Sequence, residues 1–519
     1  MGSPGGLSKP VACFSGRYDE RGGVAPRVGK RLAAQRYGLT GIFEGFESLV
    51  VPLDPGGNDM PWRVLIRFAF CSVSTCLVLM FPSSGRSSSP SGSPQPNVVL
   101  ITADNLGYGD LGCFGNPDVI TPHLDHLSTL GARCTDFYTA SPTCTVSRCS
   151  LLTGRYPQHH GMTQQLPGIE GNYGVGLSRE EVILPRLLNP VGYLTACIGK
   201  WNIGFGKGSR PTERAFQEFF GHASGNMDYY THIYAGRHDL FRGTEPVYIN
   251  GYSTDLFADA SCELIHRCSE EQRPFFLYLP FNAPHFAKQR NKAPGQPNLW
   301  QAPPRAFRAY GLDPATQDPK ERYYAVITAL DEAIGRVLHQ IDEDGLTQNT
   351  VVIFFSDNGA FMIKDLGLEV ASNKPLRDGG VTLWEGGIRV ACMVRWPAQI
   401  PAGSICREPM MSCDLFPMIA HIAGATIPGN LVLDGRNPID ALKGTGSSPH
   451  EALFFQFRKY SAVRQDRYKL LRTSPEKPFM LFDLMKDVGE TRDIRSENPQ
   501  IAARMEGGFE AWRRETAAN

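Results

Sequence analysis

The sequence predicts an α/β fold built on a mostly parallel sheet, and two observations carry that reading. Val98-Val99-Leu100-Ile101-Thr102 and, far along the chain, Val351-Val352-Ile353-Phe354-Phe355 are unbroken apolar runs of strand length, as expected of strands covered on both faces. Ahead of the second run, Ile327, Leu330, Ile334, Leu338 and Ile341 fall on one helical face, with Gly345 placed to end the helix. A helix leading into an all-apolar strand is the grammar of a parallel sheet flanked by helices.

Two further strands fit the pattern: Tyr193-Leu194-Thr195-Ala196-Cys197, running into Gly199-Lys200-Trp201-Asn202, and Phe275-Phe276-Leu277-Tyr278-Leu279, running into Asn282-Ala283-Pro284-His285. Each delivers polar groups at its carboxyl end, the edge at which open α/β sheets bind ligands. The run at 98–102 closes in Asp104-Asn105 and the run at 351–355 in Asp357-Asn358. Asp-Asn-Gly is also an ordinary turn sequence. Two matching pairs, each closing a buried strand, point instead to a hard-cation site, because carboxylate and amide oxygens suit Ca²⁺ or Mg²⁺.

Between these strands lies Cys144-Thr145-Val146-Ser147-Arg148, followed by Leu152-Thr153-Gly154-Arg155. The Ser141-Pro142 start signal places Cys144 at a helix N-terminus, one turn ahead of Arg148. Backbone N–H groups and the helix dipole converge there, a natural place to hold an anion. The same stretch also reads as a buried helix carrying two apolar cysteines, Cys144 and Cys149.

The 519 residues suffice for one large domain and a smaller one. Lys plus Arg and Asp plus Glu both number 52, so no global field argues for nucleic acid or an anionic membrane as partner. Residues 1–59 are rich in Gly, Pro and Arg without an apolar period, and a new pattern opens at Met60. Arg63 and Arg67 precede an uncharged run from Phe68 to Phe81, then Ser83, Ser84 and Gly85. This predicts a signal peptide over 60–85 with Met60 as the true start, export of the protein, and a disordered linker over 86–96. The apolar run is short for a stable span of roughly 20 residues. Export permits disulfides; Cys262 with Cys268, or a pair among Cys392, Cys406 and Cys413, are candidates that the sequence does not decide between.

From about Pro96 to its C-terminus the chain resembles the sulfatase family, in the arylsulfatase A and N-acetylgalactosamine-6-sulfatase branch. The resemblance is carried by Ile101-Thr102-Ala103-Asp104 with Gly107-Tyr108-Gly109-Asp110, the Cys144 to Arg155 block, Gly199-Lys200-Trp201, Ala283-Pro284-His285, Ser356-Asp357-Asn358-Gly359 and Trp384-Glu385-Gly386-Gly387-Ile388-Arg389-Val390. It implies an alkaline-phosphatase-type α/β domain over 97–405 and a smaller C-terminal α+β domain over 406–519 with an antiparallel sheet. Alternation from Ala452 to Arg472 and a closing helix from Ala502 to Trp512 are compatible with the latter.

The resemblance further implies a sulfuric ester hydrolase acting on a sulfated carbohydrate or aryl sulfate. Cys144 would be oxidised to formylglycine by a maturation enzyme, and the hydrated aldehyde would attack sulfur with one hydroxyl and expel sulfate with the other. Ca²⁺ would be held by Asp104, Asn105, Asp357, Asn358 and residue 144. Arg148 would hold the formylglycine, Lys200 and His285 the sulfate, and His285 would protonate the leaving oxygen.

Four positions depart from the family pattern. Asn105 stands for a second Asp, Val146 for Pro or Ala, Asn202 for a His, and Gly380 for a sulfate-contacting Lys that Arg377 is close enough in sequence to replace. Two alternatives therefore stand beside the sulfatase reading: a phosphate or phosphonate ester hydrolase of the same superfamily, and a glycan-binding protein that keeps the pocket without turnover. Of the remaining features, His159-His160 is expected in a loop facing solvent or substrate, and Trp201 and Trp384 in the core. Tyr229, Tyr230, His232 and Tyr234 are candidates to line a carbohydrate cleft. Substrate choice is expected to rest on segments 168–176, 206–251 and 288–318.

Overall fold

The computed structural model describes residues 95–166, 176–288, 299–362 and 369–518. The expected signal peptide, the stretch before it and most of the linker lie outside these residues. The apolar runs form β1 (Asn97–Ala103), β2 (Ala132–Tyr138), β3 (Leu194–Lys200), β4 (Glu218–His222), β5 (Phe275–Pro280), β6 (Thr350–Ser356) and β7 (Arg389–Arg395). With β8 (Ser404–Cys406), β9 (Met410–Met411) and two short strands, Phe241–Arg242 and Glu245–Pro246, they build one 11-stranded sheet. Its centre, β6-β1-β5-β3-β4, is wholly parallel. Towards one edge, β7 runs antiparallel to both β6 and β2.

Alternate residues of β1 enter two different cores, the reason its sequence carries no polar face. Val99 and Ile101 pack under two helices, Ser253–Glu270 and Pro319–Glu343, with Phe257, Leu264, Ile327, Leu330, Ile334 and Ile341 as partners. Val98 and Leu100 face the opposite layer, where Leu151, Leu152, Phe416 and Ile419 cover them. The helix expected from the 327–341 stripe starts eight residues earlier than its first apolar position, because Asp318 caps it by accepting the N–H groups of Lys320 and Glu321. Gly345, at φ +69°, ends the turn that follows.

The C-terminal part forms a separate antiparallel sheet, β10 (Leu453–Phe457), β11 (Tyr460–Gln465), β12 (Tyr468–Arg472) and β13 (Met480–Asp483), covered by the helix Pro499–Ala518. The 452–472 alternation therefore spans three of its four strands. The large sheet continues past the expected boundary at 405/406, since Met410 and Met411 pair with Phe137 and Tyr138. Cys134 lies in register between Cys392 and Cys406 on neighbouring strands, and the cysteines among the described residues are free thiols. Cys262 and Cys268 share one helix and are unpaired. No helix among the described residues is long and apolar enough to cross a membrane.

The glycine of Gly199-Lys200-Trp201 is required by the sheet. At φ +128° it brings its backbone so close to β5 that an added Cβ would fall 2.1 Å from the Pro280 carbonyl oxygen. Gly199→Ala is expected to cost at least about 2 kcal/mol, read as a lower midpoint in urea unfolding.

Candidate active site

β1 and β6 stay in parallel register through Ala103 and Ser356, so the two Asp-Asn pairs leave the sheet side by side. Asp104 and Asp357 are buried, as are Asn105 and Asn358. Asn105 adopts φ +62°, a left-handed conformation that asparagine tolerates, and turns the chain immediately after the carboxylate. Its N–H donates to Asp357 Oδ1 at 3.2 Å, and Asn358 Nδ2 donates to Asn105 Oδ1 at 2.6 Å.

Cys144 is the first residue of the helix Cys144–Thr153, entered from an extended Thr143. Its Sγ lies 3.2 Å from Asp104 Oδ1 and 3.6 Å from Asn105 Oδ1. Burial, with the Asp104 charge added, pushes the thiol well above its ordinary pKa, so it stays protonated and donates. One turn on, Arg148 is fully buried and grips Asp357 Oδ2 through Nε at 2.8 Å and Nη2 at 2.6 Å. Its Nη1 donates to the Lys200 carbonyl at 3.1 Å. Burial opposes the guanidinium charge, but Asp357, acting together with Tyr278, Asp104 and Cys144, outweighs it and holds the group protonated.

Lys200, at the end of β3, pairs its ammonium with Asp104. His285 follows β5; its Nδ1 donates to the Phe286 carbonyl at 2.8 Å, which leaves Nε2 as the free nitrogen. Burial and the Lys200 charge lower its pKa well below the usual range, so the ring is neutral. Ligand atoms of Asp104, Cys144 and His285 lie within 4.8 Å of one another. The expected Cys144, Arg148, Lys200, His285, Asp104, Asn105, Asp357 and Asn358 therefore meet at one sheet edge.

Arg377 goes elsewhere. Its guanidinium lies 3.7 Å from the centre of the Trp384 ring and donates to the Glu490 carbonyl at 2.6 Å. The position it was expected to serve is filled differently. A Cβ on Gly380 would fall 2.3 Å from Phe361 Cδ1, so the Phe361 ring takes the room of a side chain at 380. That ring meets His285 edge-on with centroids 6.3 Å apart.

Other expectations change as well. Tyr229 is buried rather than lining a cleft, and its hydroxyl donates to the carbonyls of His285, at 2.8 Å, and Asn282, at 3.1 Å. It thus ties down the turn that presents His285, a role that periodicity could not reveal. His159 and His160 do not form a solvent-facing loop. They end the short helix Pro157–His160, with His159 bonded to Asp434 at 2.7 Å and His160 to Ser150 at 2.8 Å. Trp201 is core, donating to the Ser209 carbonyl. Glu385 is also structural: it accepts from Tyr138, Lys469 and Arg389, and Lys469 reaches Glu490 as well. Burial works against its charge, but those cations with Arg464 hold its carboxyl at about 2.

The oxygen atoms of Asp104, Asn105, Asp357 and Asn358 fit a hard divalent cation. Asn358 Oδ1 is buried without a hydrogen-bond partner, as expected of a ligand atom.

A family model described as sulfatase matches residues 96–425. The chain belongs to the sulfatase family. A second model, the C-terminal part of N-sulphoglucosamine sulphohydrolase, matches residues 381–514. Arylsulfatase A of Homo sapiens is 32% identical over 450 residues, covering 77% of this chain and 83% of that protein. N-acetylgalactosamine-6-sulfatase of Canis lupus familiaris is 29% identical over 411 residues, covering 76% and 74%. Among solved structures, Ps i-CgsB in complex with k-i-k-neocarrahexaose superposes with a TM-score of 0.72 at 30% identity, covering 80% of this chain and 92% of that one. This sulfatase therefore has the alkaline-phosphatase-like architecture that its sequence implied.

Removing the guanidinium of Arg148 would leave the Asp357 carboxylate buried and unpaired. Arg148→Met is expected to lower unfolding free energy by about 3–5 kcal/mol, measured by denaturant titration.

Proposed function

We propose that this sulfatase is a sulfuric ester hydrolase that releases inorganic sulfate from a sulfated carbohydrate or aryl sulfate. The observation that carries the proposal is the thiol of Cys144, seated on a helix N-terminus and directed at Asp104 and Asn105 with Lys200, Arg148 and His285 around it. A sulfated glycan is the favoured class, because a structural neighbour was solved in complex with k-i-k-neocarrahexaose.

Each side chain has a definable task. Lys200 and the helix N-terminus neutralise the sulfate, whose charge spreads onto the ester oxygen as the S–O bond breaks. Arg148 is already bound to Asp357 on two atoms, so it fixes that carboxylate rather than moving with substrate. His285 is neutral with Nδ1 committed to Phe286. A bound sulfate ester favours proton uptake at Nε2, from which the leaving oxygen is protonated. Formylglycine at 144, once hydrated, supplies two hydroxyls on one carbon, one for attack and one for sulfate release. Ca²⁺ held by Asp104, Asn105, Asp357 and Asn358 supplies positive charge for the nucleophile and the sulfate oxygens.

Asn202 cannot take a proton, and Gly380 offers no charge. A missing base costs roughly 10²- to 10⁴-fold and a missing anion-stabilising donor roughly 10²- to 10³-fold, so turnover is expected to be slow for this chemistry. The protein is read as exported, through the signal peptide beginning near Met60.

The test is paired. Mass spectrometry of the Cys144 peptide from native-host protein is expected to show the aldehyde, and that protein is expected to prefer aryl sulfate over aryl phosphate. A wholly unmodified cysteine, or preferential phosphate release, contradicts the proposal.

A further inference from the structure

β4 ends in His222, level with Lys200 at the end of β3, and the activity described above does not use it. Lys200 and His222 are directly paired across the parallel strands β3 and β4, so their side chains leave the same face of the sheet about 4.8 Å apart. The imidazole is completely buried, stacked on Phe257 with ring centroids 6.3 Å apart. Neither ring nitrogen has a hydrogen-bond partner among the described residues. The nearest carboxylate, Asp239 Oδ2, is 3.8 Å from Nδ1, beyond hydrogen-bond reach, and it already accepts the N–H of Ser224. Burial, then the charges of Lys200, Arg148 and other histidines including His285, keep the ring neutral, which places it in the field of the catalytic cations. Asn202, two residues beyond Lys200, likewise has both amide atoms buried and unpartnered.

A buried imidazole with two idle nitrogens costs stability unless something bonds to it, and here the neighbour is the lysine that faces the substrate anion. We propose that His222 is a substrate-binding residue: its neutral ring donates an N–H to an oxygen of the sulfate ester beside Lys200. This rests on the sulfatase reading of the site, and deepens it by supplying an anion donor that Gly380 does not provide. A neutral donor suits the position, since it adds a hydrogen bond to the sulfate without placing a third buried cation beside Lys200 and Arg148.

The test uses the full chain with Cys144→Ala, which binds without turnover, loaded with Ca²⁺ and titrated calorimetrically with para-nitrophenyl sulfate. His222→Phe keeps the stack on Phe257 and removes both nitrogens; His222→Gln returns an N–H donor. His222→Phe is expected to weaken ester binding by about tenfold or more and His222→Gln to recover most of it, with para-nitrophenol binding unchanged in both. His222→Phe is also expected to melt no lower than its parent, because an idle polar group has been replaced by an apolar one. Unchanged ester affinity in His222→Phe, or loss of ester and phenol binding together with a lower melting temperature, overturns the assignment. A parent protein that binds no ester overturns the sulfatase reading beneath it.

Discussion

Two carboxylates, Asp104 and Asp357, are buried side by side because two parallel strands end in register, and the rest of the site answers that constraint. Like charges at such a separation repel strongly in a poorly solvated interior. Arg148 and Lys200 each bind one carboxylate, and both cations come from elements that the fold brings to this edge: the helix at 144–153 and strand β3. The cysteine thiol is then the only neutral partner reaching Asp104 among these contacts, and Asn105 and Asn358 add oxygen atoms without adding charge. An amide at Asn105 in place of a carboxylate lowers the repulsion between the buried groups, and leaves one negative charge fewer for a bound cation.

The strands were legible because their residues are apolar on both faces, and the site was legible because each strand ends in unmistakable chemistry. Cys144, Arg148, Lys200 and His285, which come from separate motifs, lie together at that sheet edge. What could not be read were contacts made across long separations. Arg377 looked available by sequence distance, yet the Trp384 ring and the Glu490 carbonyl hold it. Tyr229 was a candidate to line a carbohydrate cleft, yet it braces the His285 turn through two carbonyls. His222 carries no motif at all; only the β3–β4 register places it beside Lys200.

Gly380 and Phe361 make a similar point about loss and replacement. Restoring a lysine at 380 is not a single change, because its first side-chain atom would collide with the Phe361 ring. The site therefore has an aromatic wall next to His285.

The central claim is that these paired strand ends form one divalent-cation site, and thermal unfolding with and without calcium tests it most directly. A cation bound only by the folded state at a hundredfold excess over its Kd adds about 2.7 kcal/mol. The account predicts that Ca²⁺ raises the melting temperature of the unaltered chain, and that Asp357→Asn abolishes the increment. An unaltered chain whose melting temperature ignores Ca²⁺, or an equal rise in Asp357→Asn, would contradict it.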